Sequence, residues 1–284
     1  MTYFISFLEY IPFWLFIRIM KFLNFNTRIL ISARFISFII RNIPKFKKRV
    51  LKNLKLIYPK MSDLERKIFL KKFSQNLGLT FSEFLFNEEY HRHQNIKFQN
   101  HSEMSEILEA AKINRPVLIV SGHIGPWEAV RALLRRNGVE TAAIYRKSKN
   151  VFYQPYHHKT IEAGGKPIFQ VGKKGTSAMI KFLKKGGVVC MMIDQAVSEG
   201  KYIDFMGIPA KTSFAIANIA IKYNALIIPA YAIRTKNNEP IQVIVEPSIN
   251  IQEPFKIIEK LNKSLENIIR KYPSQWYWVH NRWK

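Results

Sequence analysis

The run Val117-Leu-Ile-Val120 leads straight into Ser121-Gly-His-Ile-Gly-Pro-Trp-Glu128. Four apolar residues in a row read as a strand buried in a sheet, and the flanking glycines turn the chain before a helical pattern resumes. A strand that feeds a glycine-flanked turn with a helix behind it places His123 at the edge of a sheet. Histidine is the side chain whose charge ordinarily changes near neutral pH. Glu128, in the first turn of the next helix, sits at the positive dipole end, which favours an anion. A His–carboxylate pair can deprotonate a hydroxyl, and a deprotonated hydroxyl attacks an acyl group. The His-x4-Glu spacing alone fits a catalytic pair and a structural contact at a strand end equally well.

The same alternation continues along the chain. A basic helix over 44–60 ends near Tyr58-Pro59. Ser62-Asp-Leu-Glu65 opens the next helix as a capping box and carries it to about Phe86. Glu88 to Asn100 reads as polar and irregular. Helices are expected at 102–112, 127–137, 152–163, 175–185, 212–223 (capped by Thr212 or Ser213) and 255–272. Strands are expected at 117–121, 141–145, 167–170, 188–193, 226–233 and 241–246, with an extended segment from Tyr202 to Met206. Strands alternating with helices specify an α/β fold, a mixed central sheet flanked by helices. No repeat or linker divides it, so residues 1–43 are read as a membrane-associating amino-terminal segment and 44–284 as one catalytic domain.

Residues 3–23 are strongly apolar, are interrupted by Glu9, Pro12 and Arg18, and are about as long as the ~20 residues a bilayer span needs. A second apolar stretch, Ile29 to Ile43, carries Arg34 and Arg41. Aromatic residues with arginines at intervals also suit helices lying in a lipid interface, and a buried helical hairpin is the third reading. Residues 41–72 then hold twelve Lys/Arg against Asp63 and Glu65, as expected of a segment on an anionic, cytoplasmic membrane face. The net charge of +25 admits anionic lipid, nucleic acid or an acidic protein as partner. No nucleic-acid fold signature accompanies the charge, so no nucleic-acid partner is expected. The single cysteine, Cys190, excludes an intrachain disulfide framework and lies in a buried strand pattern.

Other candidate residues gather at strand ends. Arg146 follows the strand at 141–145, where an open α/β sheet binds ligands, and suits a phosphate or oxyanion or else a surface turn. Asp194 follows the strand at 188–193 and emerges level with His123. Gly172-Lys-Lys-Gly lacks the spacing of a phosphate loop. His91, His93, His157 and His158 lack a matching carboxylate or cysteine cluster, so neither cofactor nor metal is expected. The closing segment Gln275 to Lys284 is aromatic and basic and could pack on the sheet, sit at a lipid interface or stack on bases.

The motifs fall in a familiar order: Ser-Gly-His-Ile-Gly-Pro-Trp-Glu128, Tyr145-Arg146, Ile193-Asp-Gln195, Phe205-Met-Gly-Ile-Pro-Ala-Lys-Thr212, Ile228-Pro229 and Gln275-Trp-Tyr-Trp-Val-His-Asn-Arg-Trp-Lys284. Over roughly residues 40–284 the chain resembles the lipid A biosynthesis lauroyl/myristoyl acyltransferases, within the His-x4-Asp/Glu glycerolipid acyltransferase superfamily. The resemblance implies an inner-membrane enzyme with its catalytic domain on the cytoplasmic face. It implies an acyl-acyl carrier protein donor and an anionic glycolipid acceptor, the Kdo-bearing lipid A precursor. It implies His123 as general base, Glu128 as its orienting carboxylate, Asp194 as a further catalytic acid, and Arg146 as a binding residue. Gly207 and Pro209 would shape the acceptor or acyl pocket. Two positions depart from the pattern. Many members carry Asn where this chain has Pro126, and a further arginine is replaced in the neighbourhood of Lys159, which offers a point charge in its place or no contact at all. Another glycolipid or lysophospholipid acceptor, or a basic membrane-binding protein without catalysis, are the rival readings.

Overall fold

A computed structural model describes residues 2–93, 95–99, 102–235 and 239–283. In chain order the elements are α1 (Thr2–Met20), α2 (Phe25–Asn42), α3 (Pro44–Ile57), α4 (Asp63–Leu85), α5 (Asn87–His93), β1 (Ile96–Phe98), α6 (Ser102–Lys112) and β2 (Val117–Ser121). They continue with α7 (Glu128–Arg136), β3 (Thr141–Tyr145), α8 (Gln154–Glu162), β4 (Ile168–Gln170), α9 (Lys173–Leu183) and β5 (Val188–Met192). The chain closes with β6 (Lys201–Phe205), β7 (Ile208–Thr212), α10 (Ala215–Tyr223), β8 (Leu226–Ile233), β9 (Ile241–Val245) and α11 (Pro254–Lys271).

Seven strands form one sheet in the order β1-β9-β8-β2-β5-β3-β4. β2 runs parallel to both β5 and β8, and β3 and β4 continue in the same sense, whereas β9 turns back against β8. The mixed α/β sheet is therefore the one the strand–helix alternation specifies, and β2 lies at its centre. Alternation along β2 divides the core. Val117 and Ile119 face α5, α6 and α7 through Tyr90, Ile107, Ala129 and Leu133. Leu118 and Val120 face α9, α10 and α11 through Met179, Ile216 and Leu261. Both faces of β2 are buried, so its sequence carries no polar alternation. Half-buried Cys190 sits in β5, in register with Ile119 of β2 and Ala143 of β3.

The capping box holds as read: Ser62 Oγ accepts from the Glu65 N–H, and the Glu65 carboxylate accepts from the Ser62 N–H. Two local expectations need correction and a third gains a partner. The stretch from Glu88 is not irregular but holds α5 and the short β1. Buried Asn87 and Tyr90 anchor α5, and β1 survives as an edge strand because β9 supplies its ladder. Gln94 and Asn100 lie outside the described residues. The helix expected from 212 begins at Ala215. Thr212 instead closes β7, and Ser213 Oγ accepts from the Ala215 N–H. The extended segment at Tyr202 is one arm of a separate antiparallel hairpin, β6–β7. Met206 and Gly207 both take positive φ at its tip, the signature of a tight two-residue turn.

α2 and α4 pack closely enough that a Cβ on Gly78 would sit 2.4 Å from the Ala33 carbonyl oxygen. Buried Ser37 and Ser74 bond across the same seam. Beyond α11 the chain does not fray. Trp276 and Trp278 are wholly buried against α3, α4 and the β6–β7 hairpin, with ring centroids 4.8 Å apart. Burying roughly 200 Å² on each ring at about 25 cal/mol/Å² contributes on the order of 5 kcal/mol apiece. That is enough to order a chain end that would otherwise move. Lys284 lies outside the described residues.

Candidate active site

Because β2 and β5 are parallel neighbours, the residues just past them emerge side by side at the carboxyl edge of the sheet. Ser121 and Met192 stand in register at the strand ends, so His123 and Asp194, each two residues on, meet. His123 Nδ1–H donates to Asp194 Oδ1 at 2.7 Å, and the His123 backbone N–H donates to Oδ2 at 2.8 Å. The indole N–H of Trp276 donates to the same Oδ2 at 2.9 Å. Asp194 is 2 % exposed, and His123 keeps 21 % of its side chain open. Burial alone would raise the Asp194 pKa, but attraction to His123 and the bonds from His123 and Trp276 outweigh it and hold the carboxyl at about 2. An ionised acid fixed on Nδ1 leaves Nε2 as the free, basic nitrogen. The Gln195 side-chain nitrogen lies 3.4 Å from Nε2, and the rings of Trp127 and Tyr277 flank the imidazole at 5.4 and 5.9 Å.

The loop that carries His123 is clamped from three sides. Tyr277 N–H donates to the His123 carbonyl, and Gly125 N–H donates to the Gln275 carbonyl, so the final segment runs as a short bridge beside Ile124. The Gln275 side chain bonds the Arg234 backbone in both directions. From α4, Thr80 Oγ1 donates to the Gly125 carbonyl and accepts from Arg234 Nη1, while Arg234 also pairs with buried Glu83. Gly125 needs to be glycine here: its φ is +52°, and a Cβ would sit 2.2 Å from the Ala232 carbonyl oxygen. Pro126 is buried at the entry to α7, where its carbonyl accepts the Ala129 N–H. A proline is compatible with this position because it lies ahead of Glu128, the first residue of α7, and interrupts no helical hydrogen bond.

The structure does not join Glu128 to His123. The Glu128 carboxylate accepts from Asn87 Nδ2 at 3.0 Å and from Arg131 Nη1 at 3.3 Å, and His91 Nε2 lies 3.5 Å away. Burial raises its pKa, but Arg131, His91 and Asn87 reverse that and hold it at about 2. Arg131 extends the cluster to the carbonyls of Ile161 and Gly165, and Asn87 to that of Thr160. Glu128 thus ties α5, α7 and α8 together under the loop. The physical reason is helical geometry. The turn points His123 along the sheet edge toward Asp194, whereas Glu128, the first residue of α7, points back between the helices toward Asn87 and Arg131.

The remaining expected residues scatter. Arg146 lies exposed just past β3, at the same sheet edge as His123 and Asp194. Lys159 is exposed on α8, beside a groove of about 620 Å³ shared with Arg135 and Arg136. Gly207 and Pro209 are exposed on the β6–β7 hairpin, which is fixed by Asn262 on α11 and by Arg282 and Trp283 rather than by His123. Among the described residues no group of three or more His, Cys, Asp or Glu side chains converges as a metal cluster. The essential partner that sequence reading missed is Trp276. Its signal was the density of Trp, His and Arg in the closing ten residues, which no spacing rule connects to β5.

A half-open imidazole, oriented by a buried ionised acid at the carboxyl edge of a mostly parallel sheet, is equipped for acyl transfer, and the fold and site together define an α/β acyltransferase. The chain belongs to the bacterial lipid A biosynthesis acyltransferase family, whose model matches residues 2–284. No curated protein matches it.

Proposed function

We propose that the enzyme moves a fatty acyl chain from acyl-acyl carrier protein to a hydroxyl of an anionic lipid A precursor, at the cytoplasmic face of the inner membrane. The observation that carries this reading is the His123–Asp194–Trp276 chain of hydrogen bonds in a member of this family. His123 Nε2 takes the proton of the acceptor hydroxyl as its oxygen attacks the thioester carbonyl. Asp194 stabilises the imidazolium that forms. The tetrahedral intermediate collapses, the C–S bond breaks, and the imidazolium returns the proton to the departing thiolate. An ester and a free carrier thiol result, so one proton is borrowed and repaid in each turnover. Exposed Arg146 lies at the same edge and would meet acceptor or donor phosphate. Glu128 supports this site from below, through Asn87 and Arg131, and the orienting role that sequence spacing assigned to it belongs to Asp194.

The decisive experiment is mass spectrometry of lipid A from a strain that lacks its own late acyltransferases and expresses this chain. A mass gain of one acyl group, absent with His123→Ala, is expected. An unchanged lipid A profile from folded protein that acylates a lysophospholipid in vitro would move the acceptor to that class.

A further inference from the structure

α1 is the one described helix long and apolar enough to cross a membrane, over Tyr3–Met20. Its contacts contradict a crossing. Tyr3 and Phe7 pack edge-on against Phe152 at 4.7 and 5.2 Å, and Phe13 meets Tyr153 and Tyr156 at 4.9 and 5.2 Å. Phe16 stacks on Phe35 of α2 at 5.5 Å, and Asn150 Nδ2 donates to the Ser6 carbonyl at 2.8 Å. From Tyr3 to Phe16 these contacts run about 20 Å along the helix at ~1.5 Å per residue. If α1 stood across a bilayer, the segment from Arg146 to Tyr156 would stand in hydrocarbon beside it. That segment exposes Arg146, Lys147 and Lys149, charges that belong in water or at headgroups.

The opposite face of the hairpin is open and apolar. Phe4, Leu8 and Leu15 on α1 are 65, 49 and 49 % exposed, Phe22 at the turn 91 %, and Phe35 and Phe38 on α2 51 and 58 %. Lys21 and Arg34 are exposed among these residues, and α3 next in line exposes Lys45, Lys47, Lys48, Lys52 and Lys55. An apolar plane bordered by cations complements an anionic lipid surface. The hairpin also reports where the active site lies. Phe152, under α1, follows the strand end that bears Arg146. Asn53 of α3 donates to the carbonyls of Trp278 and His280, in the segment that holds Asp194 through Trp276. The docking elements are thus fastened to the loops of the catalytic edge.

We propose that α1 and α2 lie flat in one leaflet of an anionic lipid layer, as a docking face that does not cross it, with α3 as its basic rim. This rests on the membrane-acyltransferase reading and adds its geometry. The test attaches spin labels to full-length Phe4→Cys, Ile11→Cys and Phe22→Cys proteins in a Cys190→Ala background and measures their depth in vesicles of phosphatidylcholine with phosphatidylglycerol. All three labels are expected at one shallow depth, ~5–10 Å below the headgroups. Ile11 near the bilayer centre, with Phe4 and Phe22 toward opposite surfaces, would overturn the flat geometry while leaving membrane binding intact. Binding is expected to fall at least about tenfold on pure phosphatidylcholine, and equal binding to both would overturn the basic rim. Protein that fails to sediment with either vesicle, and self-associates through this face instead, would overturn the docking proposal, and the membrane-acyltransferase reading with it if that protein also fails to turn over acceptor in detergent. Normal acceptor turnover in detergent by that same protein would sink only the docking face.

Discussion

Asp194→Asn gives the sharpest test of the catalytic assignment, because the structure dictates how the new amide must sit. Oδ2 of Asp194 accepts two bonds, from the His123 backbone N–H and the Trp276 indole N–H. An asparagine keeps its single oxygen there, since turning its NH2 toward two donors would leave three buried polar groups unsatisfied. Its NH2 then points at His123 Nδ1, 2.7 Å from the atom it replaces. Nδ1 must accept, so the imidazole carries its proton on Nε2, the nitrogen that has to act as base. The comparable substitution in a serine-protease triad lowers turnover by about 10⁴-fold, which is about 5.5 kcal/mol of transition-state stabilisation. A loss of that order in kcat is expected here, with little change in KM. Glu128→Gln is the control. It weakens the ties to Arg131 and Asn87 and should lower the unfolding midpoint while the folded fraction keeps kcat within about tenfold. The assay is steady-state transfer with acyl-acyl carrier protein, alongside urea unfolding. Asp194→Asn retaining activity within tenfold, or Glu128→Gln losing 10⁴-fold at full stability, would refute the reasoning and return the orienting role to Glu128.

Other outcomes follow from the same geometry. Trp276→Phe removes one donor to a buried charge, worth about 1.5–3 kcal/mol, and should cost roughly tenfold or more in kcat in protein that still folds. Wild-type kcat would show that Asp194 does not need this bond. Asp194 and Glu128 are both held at about 2, below the ordinary 3.8 and 4.5. Depressed carboxylates contribute stability that is complete above the ordinary values and is lost as pH falls toward the folded ones. Urea midpoints should therefore fall steeply from about pH 5 to pH 2, and less steeply in Asp194→Asn. A midpoint flat between pH 5 and 3 would contradict the ion pairs and hydrogen bonds that hold these carboxylates low. Gly125→Ala combines a positive φ with a backbone clash, so it should cost at least about 2 kcal/mol and be seen as a lowered urea midpoint. Near-wild-type stability would mean that the loop can open.

The order of strands and helices was legible because each strand of the central sheet is a short apolar run closed by a turn signal, and most helices carry a cap, a glycine stop or a basic last turn. The exceptions have physical causes. α5 and β1 are too short and polar to show a period, and they exist because Asn87 and Tyr90 are buried and β9 supplies a ladder. The helix at Ala215 starts late because Thr212 was claimed by the β6–β7 hairpin, a pairing between residues that sequence pattern treats as loop.

The site divides in the same way. Sequence alone determined that His123 would emerge at a strand end near Asp194, since the strands read at 117–121 and 188–193 each close just before one of them. It also determined the family, through ordered motifs spread from Ser121 to Lys284. Only the tertiary structure decided which carboxylate the histidine bonds. Five residues along a turn and helix carry Glu128 around to the inner face, where Arg131 and Asn87 claim it. Parallel pairing of β2 with β5, by contrast, brings Asp194 within 2.7 Å from seventy-one residues away. The third member, Trp276, is eighty-two residues from Asp194. Its bond exists because the closing aromatic segment folds back over the sheet edge to bury its rings, and burial of that kind leaves no periodic trace in a sequence.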